Sequence, residues 1–222
     1  HKANHGCKMN HFIRDGSLNF PKLIAMASGW LKTTYGVKDH QWGYFNVPRR
    51  LFLEQLIRPV DGLGLMDISV RCADGRPIIG SISTDIDTER VRIGYFDAHG
   101  QRILENGGKP SAQRLPLHFE LPPAYSEAVA QASSLSRGID YARYDFLFDG
   151  KELYAGEITV YPAAGLRSGT HGVLEQMVNE FWSLRSSWFL TAKHRGWRAV
   201  YARSLRRMLP ADKAADEQSS VR

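Results

Sequence analysis

The sequence predicts an α+β fold. Three observations carry this: strand-like runs rich in aromatic and β-branched residues, Asp-Gly turns between them, and two helical segments with recognisable start and stop signals. A hydrophobic content of 43% over 222 residues is enough to fill a sizeable core, and strands alternating with helices through short links suggest a mixed α/β or α+β fold and not a bundle.

In chain order, His1-Lys2-Ala3-Asn4, the polar stretch His5 to Met9, and Asn10 to Asp15 read as strand, loop and strand. The chain opens without an initiator methionine or an apolar leader, as if inside a domain, so sequence upstream of His1 is expected. Phe20 to Leu31 predicts a helix with Pro21 in its first turn. Arg50 to Ile57 is an apolar run of strand length, and Pro59-Val60-Asp61-Gly62 breaks it at an expected lobe boundary. Strands are predicted over Leu65–Cys72, Arg76–Ser83 and Val91–Phe96, the first two joined at Ala73-Asp74-Gly75. Asp97 to Gly108 reads as turns. Pro122-Pro123 opens a helix running to Leu135 and ended by Gly138. The expected organisation is a smaller lobe (1–60), a larger lobe (61–171), a basic helical segment (172–210) and a disordered tail (211–222).

The most informative stretch is Tyr141 to Tyr161, two strands joined at Asp149-Gly150-Lys151. A three-residue loop would set Phe148 opposite Glu152, bring Arg143 opposite Glu157 and leave Asp145 diagonal to it. Arg143, Asp145, Glu157 and Thr159 then share one face, with Tyr144, Phe146, Phe148, Tyr154, Ile158 and Val160 on the other. Two acids and an arginine side by side suit a cation or a charged ligand. A loop shorter by one residue would send Glu157 to the opposite face, and ordinary cross-strand ion pairs on a solvated face are the plainer reading.

A net charge of +6 and a pI near 9.4 suit nucleotides, acidic substrates or an anionic membrane without choosing among them. No run of about 18 apolar residues is present. Cys7 and Cys72 are too few for a disulfide framework, which points to a reducing, cytoplasmic setting. No helix-turn-helix, zinc-finger or RNA-binding pattern suggests nucleic-acid binding. Between Gly172 and Leu209 the chain is basic and rich in tryptophan. It reads as a helix packing its aromatic stripe on the body with a solvated basic face. The alternative is an amphipathic helix lying on an anionic membrane.

Three pieces ask for one explanation. Lys2 precedes a flexible polar loop of the kind that covers phosphates. A strand leading into a linker, ending in Glu54-Gln55-Leu56-Ile57, can offer backbone groups to an adenine edge. Two carboxylates, with a hydroxyl two residues on, can hold Mg²⁺ against a triphosphate. In the same order stand Lys2-Ala3-Asn4-His5-Gly6, Met9-Asn10, Leu53-Glu54-Gln55, the Asp67 to Pro77 hairpin, Lys109-Pro110, Arg143-Tyr144-Asp145-Phe146, and Gly156 to Pro162 with Gly165.

With these residues the chain resembles the ATP-grasp superfamily and, more narrowly, the TupA-like amidoligases named for teichuronopeptide biosynthesis, over roughly residues 1–170. The resemblance implies two α+β lobes clamping ATP. It implies that Lys2 contacts the α and β phosphates and that the loop His5, Gly6, Lys8 and Asn10 closes over them. Glu54, Gln55, Leu56 and Ile57 would form the adenine hinge, Asp145, Glu157 and Thr159 the Mg²⁺ ligands, and Arg143 the group that stabilises the transferring phosphoryl. The implied reaction joins a carboxylate and an amine through an acyl phosphate with release of ADP, in the making of a cell-surface polysaccharide or peptide polymer. The cysteine usage sets the expected location in the cytoplasm, with the inner face of the membrane as one option within it. A phosphotransferase or glycan-modifying enzyme using the same clamp, and a non-enzymatic basic module docking through 172–209, are the alternatives. Lys8 stands where the family carries glycine, and Asp67-Ile68-Ser69 stands where it often carries Asp-Tyr-Lys, with Arg71 as a substitute cation. Plainer roles are an exposed strand-edge lysine for Lys2, a surface pair with Arg50 for Glu54, loop or packing roles for His5 and His11, and a simple turn for Gly165 and Arg167.

Overall fold

A computed structural model describes residues 2–13, 18–37, 41, 44–60, 64–86, 88–104, 110–160, 162 and 172–210. The chain divides into two compact units, one formed by residues 1–58 with 163–166, the other by 59–162 with 167–222.

In the first unit, β1 (Lys2–Ala3) pairs antiparallel with β2 (Leu51–Phe52). Both expected strands are far shorter than the apolar runs suggested. Of the strand expected over Asn10–Asp15, the described residues 10–13 form one bridge, between Asn10 and Lys2, while Arg14 and Asp15 lie outside the described residues, and residues 53–59 are irregular. Asn4 does the stitching instead: its backbone N–H donates to the Arg50 carbonyl, and its side chain accepts from the Arg50 N–H and donates to the Pro48 carbonyl. Helix α1 (Phe20–Lys32) starts as predicted, with Asn19 capping the Lys22 N–H and proline in the first turn.

The second unit is built on a six-stranded antiparallel sheet, ordered β6-β5-β4-β3-β7-β8. Its strands are β3 (Met66–Ala73), β4 (Arg76–Thr84), β5 (Arg92–Phe96), β6 (Arg102–Ile103), β7 (Ala142–Phe148) and β8 (Leu153–Val160). Asp74 and Gly75 join β3 to β4 with φ of 43° and 80°, the left-handed pair that a tight hairpin requires and that Asp-Gly supplies cheaply. The short strand β6 lies inside the segment read as turns. Helix α2 (Ala124–Leu135) has the predicted start and stop, with Gly138 at φ 77° beyond it. Its buried face, Ala124, Tyr125, Ala128 and Ala132, covers one side of the sheet against Ile68, Val70, Ile82, Phe96, Tyr144 and Phe146. On the other side α3 (Val173–Phe181) lays Leu174, Met177 and Val178 on Ile79 and Tyr95. Alternate residues of β3 and β7 thus serve two different environments, which is why β7 reads buried, half-buried, buried along its length.

The β7–β8 register departs from the expected one in two ways that compensate. The Asp149 side chain accepts from the backbone N–H groups of Lys151 and Glu152, drawing Glu152 into the turn, so Phe148 pairs with Leu153 and not with Glu152. Continued without a break, that register would put Glu157 opposite Tyr144, on the core side. A bulge between Asp145 and Phe146 on one strand and around Gly156 on the other restores the parity: Phe146 pairs with Ala155, Asp145 with Glu157 and Arg143 with Thr159. Tyr154, expected in the core, consequently lies on the face of Leu147 and donates to Asp149. Ile158 and Val160 are each 51% exposed because β8 is the sheet edge.

Between residues 172 and 209 the chain forms α3, a 3₁₀ turn at Leu184–Ser186, α4 (Trp188–Thr191) and α5 (Trp197–Met208), so the continuous helical segment is broken into pieces. Ser187 caps α4, and Arg185 donates to the Arg206 carbonyl at the end of α5. Lys109, Gly165, Arg167 and the tail from Ala211 lie outside the described residues. No helix among the described residues is long and apolar enough to cross a membrane.

The bulge leaves no room for a side chain at Gly156, where a Cβ would meet the Asp145 carbonyl oxygen at 2.8 Å. Gly156→Ala is expected to lower the unfolding free energy by about 1–3 kcal/mol, and Ala155→Ser next to it by less than about 0.5 kcal/mol. Urea unfolding of both variants checks this. Equal midpoints for Gly156→Ala and wild type would contradict the bulge.

Candidate active site

The polar face of the second unit's sheet gathers residues from three strands. On β3, Asp67, Ser69 and Arg71 lie beside Leu147, Asp145 and Arg143 of β7, and β8 adds Glu157 beside Asp145 and Thr159 beside Arg143. Arg143 forks onto Asp145, Nε to Oδ1 at 2.7 Å and Nη2 to Oδ2 at 2.6 Å. The same Nη2 reaches the Thr159 hydroxyl at 3.4 Å, and that hydroxyl reaches Glu157 at 3.4 Å. The four residues singled out in the hairpin are therefore one connected group.

Burial differs along it. The Asp145 side chain is 11% exposed and that of Arg143 31%, whereas Glu157 is exposed. Burial alone would lower the pKa of the Arg143 guanidinium, but the hydrogen bonds and charge of Asp145, with Asp67 and Glu157 behind it, raise it above its usual value. The arginine stays charged, and its bidentate grip fixes the Asp145 carboxylate in the plane of the fork.

Sequence reasoning gave Asp67 no role beyond opening the Asp67 to Pro77 hairpin that carries part of the family resemblance. The structure puts it in this group. Burial first, then the neighbouring Asp145 and Glu157 carboxylates, push its pKa from 3.8 up to about 6, against the lowering effect of the Ser69 hydroxyl and of Arg143. Ser69 donates to Asp67 Oδ1 at 2.9 Å. The available signal was the alternation of the Leu65–Cys72 strand: Asp67, Ser69 and Arg71 are polar at every second position, as a second functional face requires.

The oxygen-only donor set fits a hard divalent cation. The carboxylates of Asp67, Asp145 and Glu157 share this face with Arg143 and Arg71, and the pKa of Asp67 is raised by burial first and by its acidic neighbours second. Among the described residues no three acidic, histidine or cysteine side chains form a ready-made metal cage. Mg²⁺ held through one or two carboxylates, completed by substrate phosphates and water, needs no such cage.

The first unit holds the other residues singled out. Lys2 Nζ lies 3.9 Å from Glu54 Oε2 and over the Phe52 ring, so Glu54 pairs with Lys2. The His5–Asn10 loop is closed at its base by the Ala3 N–H donating to the Met9 carbonyl and by the Lys2–Asn10 bridge. His5 is 2% exposed, with Nε2 at 2.9 Å from the Trp30 carbonyl, so its ring fastens the loop to α1. Gly6 packs where a Cβ would strike Met9 Sδ at 2.8 Å. Lys8 is exposed at φ 60°, the left-handed conformation that glycine adopts freely, so its backbone occupies the glycine slot and its ammonium stands in solvent. Gln55 is exposed, and Leu56 and Ile57 are half-buried in the irregular stretch before Arg58. Cys7 and Cys72 are free thiols, and burial pushes that of Cys72 up to about 11.

Asp67 carries a pH signature. Its folded pKa lies above its unfolded one, so the folded state holds the extra proton between pH 3.8 and about 6, and this carboxyl's contribution to stability falls as pH rises through that window. Asp67→Asn keeps an acceptor for Ser69 and removes the charge. Compared with wild type by urea unfolding from pH 4 to 8, it is expected to be more stable at neutral pH by about 2 kcal/mol and to lose that part of the slope. A variant less stable than wild type at neutral pH, with the slope unchanged, would contradict the placement.

A family model described as TupA-like ATPgrasp matches residues 19–179. No curated protein matches the chain, and no solved structure does. The matched region includes Glu54–Ile57, Asp67, Arg143, Asp145, Glu157 and Thr159, and leaves out Lys2 and the His5–Asn10 loop. An ATP-binding enzyme of the ATP-grasp ligase type is what such a match indicates, and it accords with the six-stranded antiparallel sheet and the oxygen-rich face that the sheet carries. The chain belongs to the TupA-like ATP-grasp family.

Proposed function

We propose that the protein is an ATP- and Mg²⁺-dependent ligase that joins a carboxylate to an amine, forming a C–N bond with release of ADP and phosphate. The observation that carries the reading is the direct cross-strand pairing of Asp145 with Glu157, tied to Arg143 and Thr159 on a polar sheet face, in a chain of the ATP-grasp family.

In this reading Asp145 and Glu157, with Thr159 beside them, hold Mg²⁺. The ion, when bound, supplies the positive charge that offsets the phosphate oxygens. Arg143 orients Asp145 with its fork and brings its positive charge to the phosphoryl group in flight. Lys2 serves the α and β phosphates and Glu54–Ile57 the adenine edge, while the loop from His5 to Asn10 lies over phosphate with Lys8 as a further cation. The chemistry asks for little covalent work. The substrate carboxylate attacks the γ-phosphorus and ADP leaves. The amine then attacks the acyl carbon, phosphate leaves, and the amine proton passes to solvent. The protein's part is alignment and charge neutralisation. The +6 net charge suits acidic substrates, and a cell-surface polysaccharide or peptide polymer is the proposed destination of the product.

The test combines ADP release with product identification by mass spectrometry across a panel of carboxylic acids and amines. Asp145→Asn and Glu157→Gln are each expected to cut Mg²⁺-dependent turnover at least about 100-fold. Turnover retained in both variants would overturn the assigned roles. A stable phosphorylated acceptor in place of an amide would make the enzyme a phosphotransferase working with the same residues.

A further inference from the structure

Of the aromatic residues in the C-terminal segment, Trp182 packs on the body beside Tyr141 and Phe189 is half-buried against Tyr201, whereas the outer face of α5 stays exposed. Helix α5 buries Ala202 and half-buries Ala199 and Leu205, a narrow inward face of small side chains. Trp197, Val200, Tyr201 and Met208, at i, i+3, i+4 and i+11, fall on the opposite face with about 3.6 residues per turn. They are 72%, 55%, 53% and 81% exposed. Exposing a tryptophan and a methionine to this degree on one line of a short helix is costly in water. Arg203 and Arg207 flank the line on one side and Arg198 on the other, its guanidinium carbon 5.7 Å from the centre of the Trp197 ring. From Phe181 to Ala211 the sequence contains seven basic residues and no acid.

We infer that α5 is a docking surface for an anionic phospholipid bilayer, lying along the interface with Trp197, Val200, Tyr201 and Met208 in the acyl boundary and its arginines among the headgroups. The charge pattern selects this occupant. A second copy meeting the same face would bring arginine against arginine. A soluble polyanion would be served by the arginines alone and gives no reason for the apolar line between them. Tryptophan and arginine are the side chains that suit the wet–dry boundary of a membrane. This assignment is independent of the ligase reading.

Sedimentation of the full chain with vesicles tests it, using phosphatidylcholine alone and phosphatidylcholine containing about one quarter phosphatidylglycerol. The expected result is binding to the acidic vesicles only. Trp197→Ser combined with Met208→Ser should reduce the partition coefficient at least about tenfold, and Arg203→Gln with Arg207→Gln about thirtyfold, with thermal midpoints unchanged because all four side chains face solvent. Brominated acyl chains should quench fluorescence in wild type and much less so in a Trp197→Phe variant. No sedimentation with acidic vesicles would overturn the inference. So would binding to soluble polyglutamate that is as strong in the Trp197→Ser, Met208→Ser variant as in wild type, without vesicle binding, since that would assign the surface to a polymer.

Discussion

Two carboxylates on neighbouring strands repel one another, and the sheet holds Asp145 and Glu157 in direct register all the same. What makes the placement tolerable is Arg143, set one pleat along β7, with both arms of its fork committed to Asp145 and one reaching Thr159. Asp67 joins from β3 as a third acid, with a pKa lifted to about 6, and Arg71 stands beside Arg143 on the same face. A structure optimised for stability alone would have no use for the surplus negative charge. A site awaiting a divalent ion and a triphosphate would.

This balance rests on backbone geometry. Asp149 folds its side chain onto the next two N–H groups and lengthens the hairpin loop by one residue, which by itself would turn Glu157 toward Tyr144 and the core. Gly156 absorbs the shift as a bulge, and the Asp145 carbonyl leaves its α-carbon no space for a side chain. Loop and bulge are thus one device with two parts, and the chemistry of the face depends on both.

Much of this was legible in the sequence. The limits of α1 and α2 followed from Pro21, Pro122-Pro123 and Gly138, and the β3–β4 turn from Asp74-Gly75, because these residues act through local backbone preference. The grouping of Arg143, Asp145, Glu157 and Thr159 on one face followed from alternation. The pairing within it did not, since a bulge leaves only a glycine as its trace. Asp67 went unassigned because its burial and its neighbours arise from pairing with β7, which lies some 75 residues away in sequence. The aromatic residues of the C-terminal segment were expected to pack on the body because aromatic side chains usually do, and Trp182 does so beside Tyr141. The inward face of α5 is instead made of alanine and leucine, and Trp197 and Met208 stand in solvent, because burial here is set by what the helix packs on and not by side-chain type.

The most direct test of the acidic face is the thermal unfolding midpoint with ATP, with Mg²⁺, and with both, for wild type and for the Asp145→Asn, Glu157→Gln double variant. At a ligand concentration about 100 times the dissociation constant, wild type should gain roughly 2–3 kcal/mol with ATP and Mg²⁺ together and far less with either alone. The double variant should lose that synergy. Equal stabilisation of the two proteins by Mg²⁺ and ATP would contradict a cation held between Asp145 and Glu157.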